Sequence, residues 1–410
     1  MREKIELLSP AGDLNRCKIA ILYGADAVYI GGKKFSLRSR ASNFEIEDIA
    51  EAVRFANEHG SHIHVTVNML PHEEDLEGLS EYLKELERVG VHAIICASLN
   101  IAMTAKRVAP KLEVHLSTQH STLNSKAIEF WKSLGVDRVV LGRECSLEDI
   151  KQTTAHSPLP CEVFIHGGMC ISYSGRCTLS NSMTNRDANR GGCAQSCRWK
   201  YRLFDEAGHQ LNDGKELFSM SSKDLMAAAY IEDLIHAGVV SLKIEGRMKS
   251  TYYIACVVKA YRMLIDEIYE KGHVDEERLK FFLNELNKAE NRPTAIGFYE
   301  GQPRYDAHLY GVNGAGVTQE FIASVEHYDE ETQMATLIVR NHFTSGCECE
   351  AFGPHITNVD FVMGDCFDME GNVQTVMNQP MQMIKTKLGF KVEKHDMIRR
   401  IMVKDRSQVY

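Results

Sequence analysis

The stretch LEGLSEYLKELERVGVHAIIC, residues 76–96, carries the pattern that decides the fold. Its first part, Leu76–Val89, has the apolar periodicity of an amphipathic helix. Gly90 ends that helix, and the apolar run Ala93–Cys96 then has the length of a short buried strand. A glycine that stops a helix and leads into a strand is the junction expected between successive βα units.

The same unit recurs along most of the chain. Junctions of this kind lie at Tyr23–Ala27, Leu134–Val136 and Ala237–Val239. The predicted strands are Ile5–Leu8, Ala27–Ile30, His62–Val67, Ala93–Cys96, Leu112–Leu116, Arg138–Leu141, Glu162–His166 and Val240–Ile244. The predicted helices between them include Ile46–Glu58, Leu76–Val89, Leu99–Val108, Ser125–Leu134 and Lys223–Ala237, the last with Asp224 in its first turn. Strands alternating with helices in this way predict a (β/α)8 barrel of the TIM type over residues 1–300, and an open doubly wound sheet is the alternative.

The sequence changes character from about Gly311. Short β-like segments separated by turns follow one another, and no long helical pattern interrupts them. These segments are Phe321–Val325, Met334–Val339, Cys347–Phe352, Met381–Lys385 and Met397–Met402. This pattern predicts a second domain over residues 311–410, a small antiparallel β-barrel.

A cysteine-rich loop, residues 168–200, follows the seventh predicted strand. Its cysteines Cys170, Cys177, Cys193 and Cys197 have the spacing C-x6-C-x15-C-x3-C. Thiolate sulfur is the preferred ligand of iron–sulfur clusters and of structural zinc. Zinc modules usually carry two closely spaced cysteine pairs, and only the second pair here is close, so the spacing favours a 4Fe-4S cluster. Zinc and free thiols are the alternatives.

Composition limits the classes of protein. The chain has 410 residues, a net charge of -9 and a pI near 6.0, which argues against binding nucleic acid through bulk charge. A local basic patch remains open, because Arg186, Arg190 and Arg198 surround the cysteines. No apolar run has the length of a membrane span and the start has no signal-peptide core, so the expected location is the cytoplasm. Cysteines there are metal ligands or buried thiols, and Cys347, Cys349 and Cys366 are expected to be buried thiols rather than a second metal site.

Polar residues recur where the predicted strands end. In a (β/α)8 barrel the chemistry lies at the carboxyl ends of the strands, so these side chains are expected to share one pocket. They are Arg38, Asn68, Gln119, Arg143, Glu144, His166, Glu245 and Arg247.

Several motifs together resemble a known family. EVFIHGGMC at 162–170 continues through GRCTLS at 175–180, and LSPAGD at 8–13, SKDL at 222–225 and KIEGR at 243–247 accompany it. This set resembles the signature of the collagenase-like peptidase family, which is classed among peptidases of unknown catalytic type. The resemblance covers the whole chain. Within that family, the length and the small β-domain are similar to the tRNA hydroxylation branch.

The resemblance implies a function. Members of that branch make 5-hydroxyuridine at the wobble position of tRNA and require prephenate. Sister branches hydroxylate ribosomal RNA or a quinone precursor without molecular oxygen and carry a 4Fe-4S cluster on four cysteines. Carried over by motif, the ligands would be Cys170, Cys177, Cys193 and Cys197. The implied partners are the anticodon loop of tRNA, prephenate, and an electron donor or a paralogous partner chain, and no membrane.

The predicted roles follow from the chemistry of that reaction. Prephenate is a dicarboxylate, which planar arginines bind well, so Arg143 and Arg247, with Arg38, are expected to bind it. Proton transfer is expected of Glu144, His166 and Glu245, and Tyr173 is expected to stack on the extruded base. The phosphate-binding candidates are Arg186, Arg190 and Arg198, and Asn68 and Gln119 are further candidates for substrate contact.

Proteolysis is the alternative function. It needs an activated nucleophile or a metal-bound water. The chain has neither a G-x-S-x-G elbow nor an H-E-x-x-H helix. A cysteine nucleophile would need a histidine, and only His166 stands beside the loop, whereas grouped cysteines are typical of ligands. The sequence therefore favours the hydroxylase.

Overall fold

In the computed structural model of the chain, residues 4–37, 43–212, 217–289, 292–309 and 319–402 are described. The strands of the first domain are β1 (Glu6–Pro10), β2 (Ala27–Gly31), β3 (His62–Val67), β4 (Ala93–Cys96), β5 (Glu113–Leu116), β6 (Arg138–Val140), β7 (Cys161–Gly167), β8 (Asp224–Met226), β9 (Ser241–Ile244) and β10 (Thr294–Ala295). The parallel pairing runs from β1 to β7, and β9 closes the ring by pairing with both β7 and β1. The predicted eight-stranded (β/α)8 barrel is thus confirmed, and the open doubly wound sheet is wrong.

Helices cover the outside of this barrel. The α-helices of the described residues are α1 (Leu14–Leu22), α2 (Ile46–Glu58), α3 (Leu79–Arg88), α4 (Leu99–Val108), α5 (Ser125–Ser133), α6 (Leu147–His156), α7 (Leu179–Thr184), α8 (Ile231–His236), α9 (Thr251–Lys271) and α10 (Glu276–Ala289). None of the helices in the described ranges combines the length and the apolar character needed to cross a membrane.

The glycine junctions behave as predicted. Gly24, Gly90, Gly135 and Gly238 have φ angles between +82° and +108°. That left-handed conformation ends a helix at no steric cost only for glycine. The junctions therefore fix where each helix stops and the next strand begins.

The predicted helix Lys223–Ala237 is wrong in its first half. Residues Asp224–Met226 form β8, which pairs antiparallel with the end of β7, and only Ile231–His236 form an α-helix. Asp224 does not cap a helix. Its carboxylate is fully buried and lies 3.3 Å from both Lys249 Nζ and Arg292 Nε, which holds the segment extended against the barrel rim.

The C-terminal domain is an antiparallel half-barrel, as its short alternating strands predict. Its strands are β11 (Gln319–Asp329), β12 (Met334–Val339), β13 (Phe343–Thr344), β14 (Glu348–Phe352), β15 (Val359–Val362), β16 (Cys366–Phe367), β17 (Val373–Gln374), β18 (Val376–Met377), β19 (Met383–Lys387) and β20 (Met397–Ile401). The main sheet has the order β15-β14-β20-β11-β12-β19-β16-β17 and encloses its own hydrophobic core. The predicted onset at Gly311 lies outside the described residues.

A buried arginine joins the two domains. Arg399 on β20 is 0% exposed, and its guanidinium binds Glu285 of α10 at 2.9 Å and Glu350 of β14 at 2.7 Å. The guanidinium also lies 4.4 Å from the ring centroid of Phe352. Lys288 Nζ contacts the same two carboxylates at 2.6 and 2.8 Å. The interface is therefore held by a compensated ionic cluster.

The amino-terminal half of the barrel interior is filled by charge rather than by aliphatic side chains. Lys243 Nζ binds Glu162 Oε1 at 2.6 Å, and Arg138 Nη1 binds Glu6 Oε1 at 2.6 Å. Burial acts to raise the pKa of Glu162, but Lys243 and Arg138 outweigh it and hold that pKa below the usual range. Burial also lowers the pKa of His64 beside them to about 4, so its ring is neutral. We call this group the ionic layer.

Candidate functional site

A cavity of about 390 Å³ opens at the carboxyl ends of the barrel strands, beneath the cysteine-rich loop. Its lining includes two groups that the sequence places far apart. The strand-end group is Asn68, Gln119, Arg143, Glu144, Glu245 and Arg247, and the loop group is Cys170, Arg186, Cys193, Cys197 and Arg198. Most of the side chains predicted to share one pocket therefore do so.

The thiols of the loop surround the mouth of this cavity. Cys170 and Cys193 are exposed, Cys177 and Cys197 are half-buried, and Cys177 is outside the cavity lining. Burial raises the pKa of Cys197, and electrostatic repulsion from Cys170, Cys193 and Cys177 adds to the rise, so each of these three thiols is near enough to act on Cys197. Within the described ranges no three His, Cys, Asp or Glu side chains are already arranged as a metal-binding group. As a donor set, four neighbouring thiols match a thiophilic metal centre.

Two strand-end residues anchor the start of the loop. Glu144 accepts hydrogen bonds from Ser174 N at 2.5 Å and from Ser174 Oγ at 2.9 Å. This holds Ser174 at a φ of +48°, a conformation that a serine rarely adopts. Arg143 donates to Gly168 O at 2.6 Å and lies over the Phe164 ring, 3.8 Å from its centroid. Both carboxylate oxygens of Glu144 are engaged, so its main work here is to position the loop.

Arg247 lies almost completely buried in the wall of the cavity. Its guanidinium donates to Ser36 Oγ at 3.0 Å, Thr66 Oγ1 at 3.2 Å and Asn43 Oδ1 at 2.8 Å. A Cβ at Gly31 would come within 2.5 Å of this group, so only glycine allows it to lie there. Its fixed position in the cavity wall and its planar guanidinium make Arg247 a candidate group for binding an anionic ligand.

Of the two predicted proton-transfer groups at the carboxyl ends of β7 and β9, only one lines the cavity. Glu245 lines the cavity and accepts a hydrogen bond from Tyr29 OH at 3.1 Å. His166 does not line it, because the β7–β9 pairing shifts register between Phe164 and His166. Such a bulge re-aims the following side chain. The buried His166 ring packs on Tyr261, with Nδ1 3.1 Å from the Tyr261 hydroxyl oxygen.

Of the remaining predicted site residues, some line the cavity and others do not. Arg186 and Arg198 line the cavity and form no ion pair with a described residue. Arg190 instead pairs with Glu74 at 2.9 Å and Asp75 at 2.8 Å, which ties the loop to the segment after β3 and makes Arg190 a structural residue rather than a phosphate ligand. Tyr173 is 55% exposed beside Ser174, outside the cavity lining. Arg38 lies outside the described residues.

Several lining residues were not predicted from the sequence, among them a lysine and a tyrosine. Lys243 and Tyr29 lie within strands rather than at their ends, and Lys243 Nζ stands 4.8 Å from the Tyr29 ring centroid. A lysine inside an otherwise apolar strand pattern was the available signal, since a buried charge needs a partner or a ligand. The cavity floor thus meets the ionic layer at Lys243, whose charge is paired with Glu162.

The cysteines of the C-terminal domain form a thiol pair. Cys347 Sγ and Cys349 Sγ lie 3.4 Å apart, and within the described part of the chain they are not members of a metal-binding group. The hydrogen bond from Cys349 lowers the pKa of Cys347 to about 7. Cys349 is buried, as the sequence predicts, whereas Cys347 is half-buried.

That pair gives a pH-dependent prediction. Alkylation of Cys347 in the native protein should rise with pH around a midpoint near 7, because the thiolate is the reactive form. In Cys349→Ala the midpoint should move up toward the ordinary thiol value of about 8.5. Mass spectrometry of the labelled peptide after a short iodoacetamide pulse measures both. Cys366→Ala is the control and should leave the midpoint unchanged, and equal midpoints in all three proteins would contradict the prediction.

The fold and the site together define a TIM-type barrel protein with a candidate site at the carboxyl ends of the strands, under a cysteine-rich loop. Residues 12–309 match the model of peptidase family U32, and residues 317–399 match the model of the peptidase family U32 C-terminal domain. The chain therefore belongs to peptidase family U32, as its motifs indicate.

Relatives within this family carry different names. The chain is 48% identical to tRNA hydroxylation protein P1 of Bacillus subtilis, over 97% of this chain and 95% of that protein. It is 40% identical to the 23S rRNA 5-hydroxycytidine C2501 synthase of Escherichia coli, over 65% of this chain and 40% of that protein. It is 32% identical to a collagenase of Porphyromonas gingivalis, over 77% of this chain and 78% of that protein.

Proposed function

We propose that the chain is a tRNA-modifying enzyme that hydroxylates the wobble uridine at C5, giving 5-hydroxyuridine without molecular oxygen and with prephenate as co-substrate. The relatives named for tRNA and rRNA hydroxylation support an RNA hydroxylation role. One observation carries the proposal further: a single cavity brings three of the loop cysteines together with five cationic side chains, Arg143, Arg186, Arg198, Lys243 and Arg247. The proposed metal ligands and the proposed anion-binding groups thus line the same cavity.

The proposed metal ligands are Cys170, Cys177, Cys193 and Cys197, holding a 4Fe-4S cluster. Adding oxygen at C5 removes two electrons from the base, and the cluster would supply the capacity to take up electrons. An external redox partner, either a separate electron carrier or a paralogous partner chain, would then have to accept these electrons from the cluster. Zinc on the same thiols would hold the loop but would supply no electrons.

The cations of the cavity divide between two kinds of anion. Arg247 and Arg143 are fixed by hydrogen bonds at the strand ends, so they present preformed donors to the carboxylates of prephenate. Arg186 and Arg198 come from the loop at the mouth, where the RNA backbone would pass, and are the proposed phosphate contacts. The exposed ring of Tyr173 stands at the same mouth and is the proposed stacking partner for an extruded base.

Proton transfer is assigned to Glu245. It lies in the cavity, and its hydrogen bond from Tyr29 fixes one carboxylate oxygen. Loss of the proton from C5 requires a base in the cavity, and a carboxylate there can be tuned toward neutral pKa by its surroundings. Glu144 is assigned a positioning role, and His166 is left out of the reaction because its ring lies outside the cavity lining.

The test is made on cellular tRNA. Deleting the gene should remove 5-hydroxyuridine and its derivatives from total tRNA, as measured by nucleoside mass spectrometry, and the wild-type gene should restore them. Unchanged tRNA nucleosides in the deletion strain would refute the proposal.

Peptidase activity is the second candidate, favoured by the collagenase relative. The described lining of this cavity contains no histidine, although Cys170 also lines a neighbouring pocket together with His308. A thiolate bound to the proposed cluster would not be free to attack a peptide bond. Purified protein incubated with denatured collagen should therefore leave it intact.

Arg143 offers a quantitative prediction. Arg143→Lys should lower the rate of tRNA hydroxylation about 10- to 100-fold, the cost typical of residues that orient a metal site. Lysine cannot both stack flat on Phe164 and reach Gly168 O, so the start of the cysteine loop would be released. The rate on saturating tRNA is the measurement. Arg88→Lys, at an exposed pair with Glu85 on α3, is the control.

A further inference from the structure

Gln119 carries a buried hydrogen-bond donor that the protein leaves unused. The side chain is 4% exposed and lines the cavity. Its amide nitrogen, Nε2, has no hydrogen-bond partner among the described residues. Buried polar groups are almost always paired, because leaving one unpaired sacrifices its hydration. An unpaired donor in the wall of a ligand cavity is therefore a group whose partner is expected on the ligand.

A relay of hydrogen bonds fixes which end of the amide faces the ligand. The backbone N–H of Leu37 donates to Asn68 Oδ1 at 3.1 Å, so the Asn68 amide nitrogen must point the other way. That nitrogen donates to Gln119 Oε1 at 3.3 Å. Ser117 Oγ donates to the same oxygen at 3.1 Å. Turning the Gln119 amide over would set two N–H₂ groups against each other, so Oε1 is held by the protein and Nε2 is held for the ligand.

We propose that Gln119 selects the base: its Nε2 donates to the 4-carbonyl oxygen of uracil, and it rejects cytosine. Cytosine carries an amino group at the same position, which would place donor against donor. This inference rests on the proposed function and adds to it the group that distinguishes uridine from cytidine. The chemistry required of the ligand is an acceptor oxygen, which a carboxylate of the co-substrate could also supply, and the experiment separates the two sources.

The diagnostic variant is Gln119→Glu. Glutamate keeps an oxygen for Ser117 and Asn68 to donate to, so the protein side of the relay is retained. The donor that faces the ligand becomes an acceptor, which suits the amino group of cytosine. Gln119→Met has a side chain of similar size and removes the donor without adding charge. It can be measured even if the buried charge of Gln119→Glu disturbs folding.

The measurement uses the holoprotein, prephenate and two anticodon stem-loop RNAs that differ only in U or C at the modified position. The wild type should prefer uridine in kcat/KM. In Gln119→Glu that preference should fall about 10- to 100-fold, the discrimination that a good base contact provides. Lowering the pH should restore part of the preference for uridine in Gln119→Glu, because a protonated glutamate has an O–H donor. A merely structural role would not give that pH profile.

Gln195→Glu is the matched control, because Gln195 also lines the cavity but is exposed. It introduces the same charge and should leave the ratio of uridine to cytidine unchanged. A wild-type preference that persists in both Gln119 variants would overturn the inference while leaving the proposed function in place. A raised KM for prephenate with an unchanged base preference would show that the acceptor is a carboxylate, which also overturns it. No reaction of the wild type with either RNA would remove the proposed function and the inference together.

Discussion

Cys170→Ala should yield a colourless protein without iron that no longer hydroxylates tRNA. Cys170 is exposed at the cavity mouth, and its thiol influences Cys197 electrostatically, so it belongs to the proposed ligand set. A 4Fe-4S cluster needs four protein ligands, and a missing thiolate leaves one iron exposed to solvent. Wild-type protein purified without oxygen should be brown, with a broad band at the blue edge of the visible spectrum and about four irons and four sulfides per chain.

The control for this experiment is Cys347→Ala. Cys347 is a half-buried thiol that lies in the C-terminal domain, so its loss should leave colour, iron content and tRNA hydroxylation unchanged. A wild-type protein that binds one zinc and stays colourless would refute the cluster. The cysteine loop would then have a structural role, and proteolysis would become the favoured hypothesis.

Arg399→Met should lower the free energy of unfolding by about 3–5 kcal/mol, the range measured when one partner of a buried ion pair is removed. The substitution leaves Glu285 and Glu350 buried with only Lys288 to compensate them. It also removes the guanidinium from the face of Phe352. Urea unfolding followed by far-ultraviolet circular dichroism measures the change, and the domain interface is expected to open first.

The same substitution at an exposed pair provides the comparison. Arg88 pairs with Glu85 on the surface of α3, and Arg88→Met should cost less than about 1 kcal/mol because solvent screens that pair. The pH dependence has a definite sign. Burial acts to raise the pKa of Glu285, but Arg399 and Lys288 outweigh it and hold it below its usual value. The stability that ionised Glu285 contributes is therefore present above about pH 4.3, and it is lost as the pH falls through the pKa that Glu285 has in the folded protein. Equal losses in the two variants would contradict the prediction.

The barrel could be predicted from sequence because its signals are local. A glycine at positive φ ends several of the helices, as at Gly90, and a short apolar run follows. Helix bounds such as Ile46–Glu58 and Leu99–Val108 agree with the structure for the same reason, since caps and periodicity act within a few residues. The cavity followed from a general rule about strand ends rather than from any single residue.

The failures have non-local causes. His166 was expected in the cavity because it stands at the carboxyl end of the seventh strand, but it lies outside the lining, next to a register shift against β9. Asp224 resembled a helix cap until its ion partners Lys249 and Arg292, distant in sequence, were known to hold it extended. Arg190 resembled a phosphate ligand, but the carboxylates that pair with it lie on another loop. Each depends on a contact that the local sequence does not encode.

The ionic layer has a consequence for the order in which ligands would bind in the cavity. Glu162 and Lys243 close the barrel under the cavity, and Lys243 forms part of the cavity floor. The ionic layer therefore closes the barrel below the cavity, on the side away from the cysteine loop. Under the proposed function, RNA would dock at the loop and cover the cavity. A small co-substrate would then have to bind before the RNA, which gives the proposed reaction a compulsory order.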